Sequence, residues 1–143
     1  KNMYIPNNSL SSEINTILKL KEKLKGKRYF EFLPPASIDE INEWEAKNSI
    51  TIPQGYKDWL MFSNGSIIHG SLAEFYSINK IKIGLAGMPK DSVTIGNVVG
   101  DGEKLCFSSE NGGFFTFFHG GINEYNSFND ILLSLIDDID GMN

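Results

Sequence analysis

Residues 33–65, LPPASIDEINEWEAKNSITIPQGYKDWLMFSNG, constrain this chain more than any other stretch, because prolines and caps fix where its helices start and stop. The stretch carries both tryptophans and three of the five prolines. Pro34-Pro35 cannot sit inside a helix, and each proline turns the residue before it away from the α region. Ser37 then offers its hydroxyl to the first free N–H groups, and Glu40 completes a capping box. Ile38, Ile41 and Trp44 follow at helical spacing, while Asp39, Glu40, Glu43 and Glu45 take the start and outer side, complementing the helix dipole. Asn48 reads as a left-handed stop. Pro53 reopens a helix at its first turn, where proline is tolerated. Tyr56, Trp59, Leu60 and Ser63 then repeat on one face until Asn64-Gly65 turns the chain. The pattern predicts a helical hairpin with Trp44 and Trp59 as core residues where it meets a sheet.

Elsewhere the signals alternate between helix and strand. Residues 1–8 read as a loose terminus. Leu10, Ile14, Ile17, Leu18 and Leu24 predict a helix over 10–25 with Gly26 as its stop, and its lysines read as a solvated face. Residues 29–33 form a short extended lead-in. Beyond Gly65 the pattern predicts strands over 67–68 and 72–78, with Ile81 and Ile83 extending the pairing, then over 92–96, 104–108 and 114–118. The last of these sets four phenylalanines around Thr116, apolar on both faces as in a central strand. Ser127 and Asp130 cap a final helix with the stripe Phe128, Ile131, Leu132, Leu135, Ile136 and Ile139. The fold class expected is α+β: one domain over 1–143, an antiparallel sheet packed with N-terminal helices and a C-terminal helix.

Composition narrows the functional classes. With 41% hydrophobic and 22% charged residues among 143, the chain reads as a soluble globular domain. One cysteine excludes an internal disulfide and fits a reducing cytoplasm. No run approaches a membrane span and no signal-peptide pattern opens the chain, which begins at Lys1. A single arginine among many Lys, Asn and Ile matches the usage of AT-rich bacterial genomes. The net charge of −5 divides unevenly: residues 1–32 hold seven basic and three acidic side chains, and the remainder six basic and fifteen acidic. A body at −9 repels nucleic acid and favours a cationic partner.

The candidate catalytic motifs fail on chemistry. In Gly96–Lys104 a phosphate loop would need glycine directly before the lysine and Ser or Thr after it, whereas Glu103 and Leu105 stand there. Cys106, between Leu105 and Phe107, with Asp101, Glu103 and Glu110 near in sequence, reads as a buried structural thiol rather than a nucleophile. Two distant histidines make no metal site. The carboxylates of the last third, opposed there by Lys104 alone, read either as a solvated surface or as a docking face for a basic protein.

The hairpin also carries a family likeness. Pro34, Pro35, Ile38, Ile41, Trp44, Glu45, Ile52, Pro53, Tyr56, Leu60, Asn64 and Gly65 together resemble the signature of the SUKH superfamily, with Ser66 in place of the usual second glycine. The stretches GDGEKLCFS and SFNDILLSL are similar to its C-terminal half, so the likeness covers 33–139. The resemblance implies a SUKH-like α+β fold without catalytic residues or cofactors. It also implies a cytoplasmic bacterial immunity protein that occludes a cognate toxin, often a nuclease, bearing a basic surface. The alternative it implies is an intracellular regulatory or scaffolding module, since the superfamily includes a yeast regulator of cell-wall synthesis. On the immunity reading the partner-binding residues expected are Asp101, Glu103, Glu110 and Glu124.

Overall fold

The computed structural model describes residues 7–98 and 102–142. Helix α1 (Ser11–Lys23) buries Ile14, Ile17 and Leu20 and leaves its lysines outside. After the two-residue strand β1 (Glu31–Phe32), the capping box forms at the start of α2 (Ile38–Asn48). Ser37 Oγ accepts from the Glu40 N–H at 3.1 Å, and Glu40 Oε1 accepts from the Ser37 N–H at 2.9 Å. The left-handed residue that ends α2 is Ser49 (φ 54°), not Asn48. Asn48 instead donates its side-chain amide to the Trp44 carbonyl at 2.9 Å. Helix α3 (Gln54–Leu60) opens after Pro53 and buries Tyr56, Trp59 and Leu60, with Ser63 buried just beyond it. Buried Asp58 ties it to the segment before α1, accepting from Ser9 Oγ at 2.7 Å and from Gln54 Nε2 at 2.8 Å.

The sheet follows. Its strands are β2 (Ser66–Ile68), β3 (Ala73–Phe75), β4 (Lys82–Ile83), β5 (Ser92–Val98), β6 (Glu103–Ser108), β7 (Phe114–Phe118) and β8 (Gly121–Tyr125), with a 3₁₀ turn at Ile78–Lys80. All pairings are antiparallel, in the order β1-β2-β3-β5-β6-β7-β8, with β4 also on β5. Helix α4 (Phe128–Met142) closes the chain, its first turn capped by Ser127 Oγ accepting from the Asp130 N–H at 3.2 Å. The architecture is therefore α+β, an eight-stranded antiparallel sheet with helices before and after it.

Trp59 sits at the centre of the core, wholly buried. Its ring lies 5.2 Å from Phe62 and Phe75, 5.9 Å from Phe128 and 6.4 Å from Phe32, and its Nε1 donates to Ser66 Oγ at 3.1 Å. Trp44 departs from expectation: it is only partly buried, at the rim of the core beside Ile78 and Asn79. The cause is that α2 buries one residue, Ile41, and leaves Ile38 half exposed. The phenylalanine strand β7 likewise lies one place in from the edge, and the central strands are β5 and β6. Its hairpin with β8, a strand with no counterpart in the sequence pattern, extends past the core, so Phe118 is 39% exposed.

A bulge between Thr94 and Gly96 shifts the parity of β5, so that Val98 beyond it faces the core together with Val93 and Ile95 before it. Gly96 is required there, since a Cβ would stand 2.2 Å from the Glu74 carbonyl oxygen.

Candidate partner-binding site

Strand alternation divides the work of the sheet. β6 turns Leu105 and Phe107 into the core shared with all four helices, and Lys104 and Cys106 to the other side. Register carries that second face across the ladder. It holds Glu31, Ile67 and Glu74 from β1 to β3, then Asn97 and Lys104, then Phe117, Ile122 and Glu124 on β7 and β8. Among the described residues no helix contributes buried side chains there.

At its middle a polar chain crosses the strands. Lys104 Nζ donates to Asn97 Oδ1 at 3.2 Å, and Asn97 Nδ2 donates to Tyr76 Oη at 3.0 Å. Burial and the nearby carboxylate of Glu74 raise the Tyr76 phenol above its usual range. Cys106 lies beneath, wholly buried, its Sγ 3.5 Å from Thr94 Oγ1. Burial pushes the thiol up to about 11, so near neutral pH it is protonated and closed to reagents. Three grooves indent this side. One of about 400 Å³ is floored by Ile67, Glu74, Asn97 and Lys104, and a neighbour of about 140 Å³ runs beside Glu31 and Leu33. The third, about 330 Å³, lies against Phe115, Ile122 and Tyr125, and among the described residues its charged lining is Asp91 and Glu124.

The four carboxylates expected from the sequence fall in different places. Asp101 lies outside the described residues. Glu103 begins β6, while Glu110 is exposed in the turn after its end. Seven residues of near-extended chain separate those two by roughly 20 Å, so they do not share an end of the sheet. Glu124 is exposed on β8, on the open face, level with Phe115. It comes close instead to the turn of Glu110, since Ser108, Asn111 and Gly113 of that turn line the same groove as Glu124. Ser108 Oγ bonds the Asp91 carboxylate and accepts from the Glu110 N–H at 3.1 Å, which fixes the turn. Glu31, Glu74 and Asp91 escaped the sequence reading. Strand parity could have placed the first two, because only the register puts them on the face away from the helices.

Among the described residues no group of three or more His, Cys, Asp or Glu side chains is placed to hold a metal ion. No described helix is long and apolar enough to cross a membrane. His69 sits at φ 53° in the β2–β3 turn, its Nε2 buried without a partner, and burial lowers its pKa.

The residues of the hairpin signature are struts. Glu45 accepts from the Ile52 N–H at 2.7 Å and pairs with Lys57 at 3.1 Å, bracing α2 against α3. It therefore faces the link between the helices rather than solvent. Tyr56 donates its hydroxyl to the Tyr76 carbonyl at 2.5 Å, and burial raises its pKa far above 10.0. Asn64 donates its N–H to the Pro34 carbonyl at 3.0 Å and accepts from the Ile78 N–H at 2.8 Å, joining lead-in, turn and 3₁₀ segment. Gly65 takes φ 113°, with Leu33 and Ser77 close on the side a Cβ would occupy.

No curated protein matches the chain. The model of the SMI1 / KNR4 family (SUKH-1) matches residues 35–134, which run from Pro35 of the lead-in through strands β2 to β8 and into α4. With more than two-thirds of its length matched, and the signature residues bracing the hairpin as described, the chain belongs to the SMI1 / KNR4 (SUKH-1) family.

Proposed function

We propose that this domain is a non-enzymatic protein-binding module, a bacterial immunity protein that holds a cognate toxin through the toxin's basic surface in the cytoplasm of the producing cell. The observation that carries the reading is the charge of the C-terminal part. From β6 onward seven described carboxylates stand against one lysine, three of them (Glu103, Glu110 and Glu124) on the sheet and its turns and four on α4, and that lysine donates to Asn97. A nuclease toxin must present cations to its polyanionic substrate, so an acidic face meets it with complementary charge. Such charge acts chiefly on the association rate and on specificity. Asp101, Glu103, Glu110 and Glu124 are the proposed partner-binding residues, as two pairs: Asp101 with Glu103, close in sequence where β6 begins, and Glu110 with Glu124 beside the Asp91 groove.

The second reading is a regulatory or scaffolding module, the alternative that the likeness to the SUKH superfamily implies. Stoichiometric co-purification from the source cell separates the two. A basic toxin domain supports immunity, whereas a signalling or cytoskeletal protein supports scaffolding. With the toxin in hand, charge reversal of each pair tests the face. Asp101→Lys with Glu103→Lys, or Glu110→Lys with Glu124→Lys, should slow association at low salt and leave the unfolding transition in place. Screening over about 8 Å at physiological salt should shrink the difference. Wild-type association rates for both double variants at low salt would move the docking face to the helical side.

A further inference from the structure

The β7–β8 hairpin closes through His119 (φ 50°) and Gly120 (φ 81°), with Phe118 opposite Gly121. Two central residues at positive φ make a type I′ turn, whose i→i+3 bond makes Phe118 and Gly121 a hydrogen-bonded pair. Along an antiparallel ladder bonded and non-bonded pairs alternate, so Thr116–Asn123 is bonded while Phe117–Ile122 and Phe115–Glu124 are not. The N–H and C=O groups of Ile122 and Glu124 therefore point away from β7, off the edge of the sheet.

Nothing among the described residues pairs with that edge, and residues 121–124 are exposed. Of the usual guards of an edge strand β8 lacks a proline, a lysine and a bulge, and keeps a single charge, Glu124. Its outward side chains on the open face are Ile122, 52% exposed, and Glu124, and beside them runs the groove whose charged lining among the described residues is Asp91 and Glu124.

We propose that the free edge of β8 takes an extended basic segment of a partner as an additional antiparallel strand. This rests on the reading of the domain as a docking module for a basic protein, and names where and how part of that partner sits. Antiparallel addition follows the rest of the sheet, and it sets the order of the incoming residues. A base stands opposite Glu124, a small polar residue opposite Asn123 and an aliphatic opposite Ile122, so the segment reads basic–x–aliphatic from its N-terminus. One interstrand spacing, about 4.8 Å, brings the base to Glu124, and a long side chain can lie over Phe115 towards Asp91. Main-chain bonds give such a segment its affinity, and the alternate side chains its selectivity. A second copy of this chain fits less well, because its own β8 brings a carboxylate and no base.

The test titrates the full chain, isotope-labelled, with the peptide acetyl-Thr-Arg-Thr-Ile-Thr-amide and follows backbone amide shifts. Expected are shifts confined to β7, β8 and the Asp91 groove, and binding lost when the peptide's Arg and Ile nitrogens are methylated. Glu124→Lys should weaken the Arg peptide by roughly three-fold and favour the version carrying Glu in its place. Ile122→Pro, which removes an N–H that β7 does not use, should abolish binding while the other amide shifts stay native. Three results overturn the proposal: no shifts with any peptide, equal binding by the methylated peptide, or self-association by sedimentation that Ile122→Pro removes. Shifts on the Glu74–Lys104 groove instead also overturn it, yet leave the docking reading standing; a domain without any basic partner would sink that reading itself.

Discussion

Truncating the two tryptophans should separate them sharply. Trp59→Ala removes the largest wholly buried side chain, with four aromatic neighbours around it and an N–H bonded to Ser66. A void of that kind costs about 4–5 kcal/mol, against a total domain stability on the order of 5–15 kcal/mol. Trp44 is partly exposed, so its truncation forfeits only part of the transfer term, about 1–2 kcal/mol. Urea unfolding followed by far-ultraviolet circular dichroism measures both, with the slopes compared to check that the unfolded states match. If Trp59→Ala does not fold, Trp59→Phe keeps a ring but leaves the Ser66 hydroxyl without its donor, which costs about 1–3 kcal/mol. Trp44→Phe should cost less than about 1 kcal/mol. Equal losses at the two sites, or a larger loss at Trp44, would refute the placement of the core between α3, the sheet and α4.

Three more outcomes follow from single side chains. Cys106→Ser should leave partner binding intact, and the native thiol, held at about 11, should react with an aromatic disulfide reagent near neutral pH only as fast as the domain opens. Burial holds His69 below 6.5, so on acidification the unfolded chain takes up the proton first. The stability its neutral ring confers is then complete above about 6.5 and lost as the pH falls through the folded value, and His69→Asn, tolerant of φ 53°, should flatten that slope in urea melts at stepped pH. Gly96→Ala forces a Cβ onto the Glu74 carbonyl and should cost about 3 kcal/mol or more, visible as a fall in midpoint or as insolubility.

What the chain declares about itself is local. The capping box at Ser37 and Glu40 was legible because both partners lie within four residues, and so was the stripe of α4. Asn48 misled for a related reason: asparagine suits the left-handed region, yet here its amide has a better acceptor in the Trp44 carbonyl, and Ser49 takes the turn. Trp44 read as core because helical spacing reports a face without saying how deeply the helix is sunk. β8 gave no signal at all, since a strand exposed on both sides needs no alternation of apolar and polar residues. The carboxylates were visible as charges, but their grouping depends on strand register, and register joins residues far apart in sequence. Hence Glu103 and Glu110 looked like neighbours and stand apart, while Asp91 and Glu124 meet at one groove.

The bracing of the hairpin has a consequence for how such a domain can change over time. Glu45, Tyr56, Asn64 and Gly65 are committed to main-chain bonds and close backbone contacts between α2, α3 and the first strands. The residues that would meet a partner sit at alternate places on the strands, one side chain out of phase with the core. Inheritance can therefore hold the first set constant while the second drifts freely, so that two chains with the same signature share an architecture and need share no partner. On the docking reading proposed above, a change of partner asks only for new side chains at exposed positions such as Ile122 or Glu124, each of which can vary without a matching change inside.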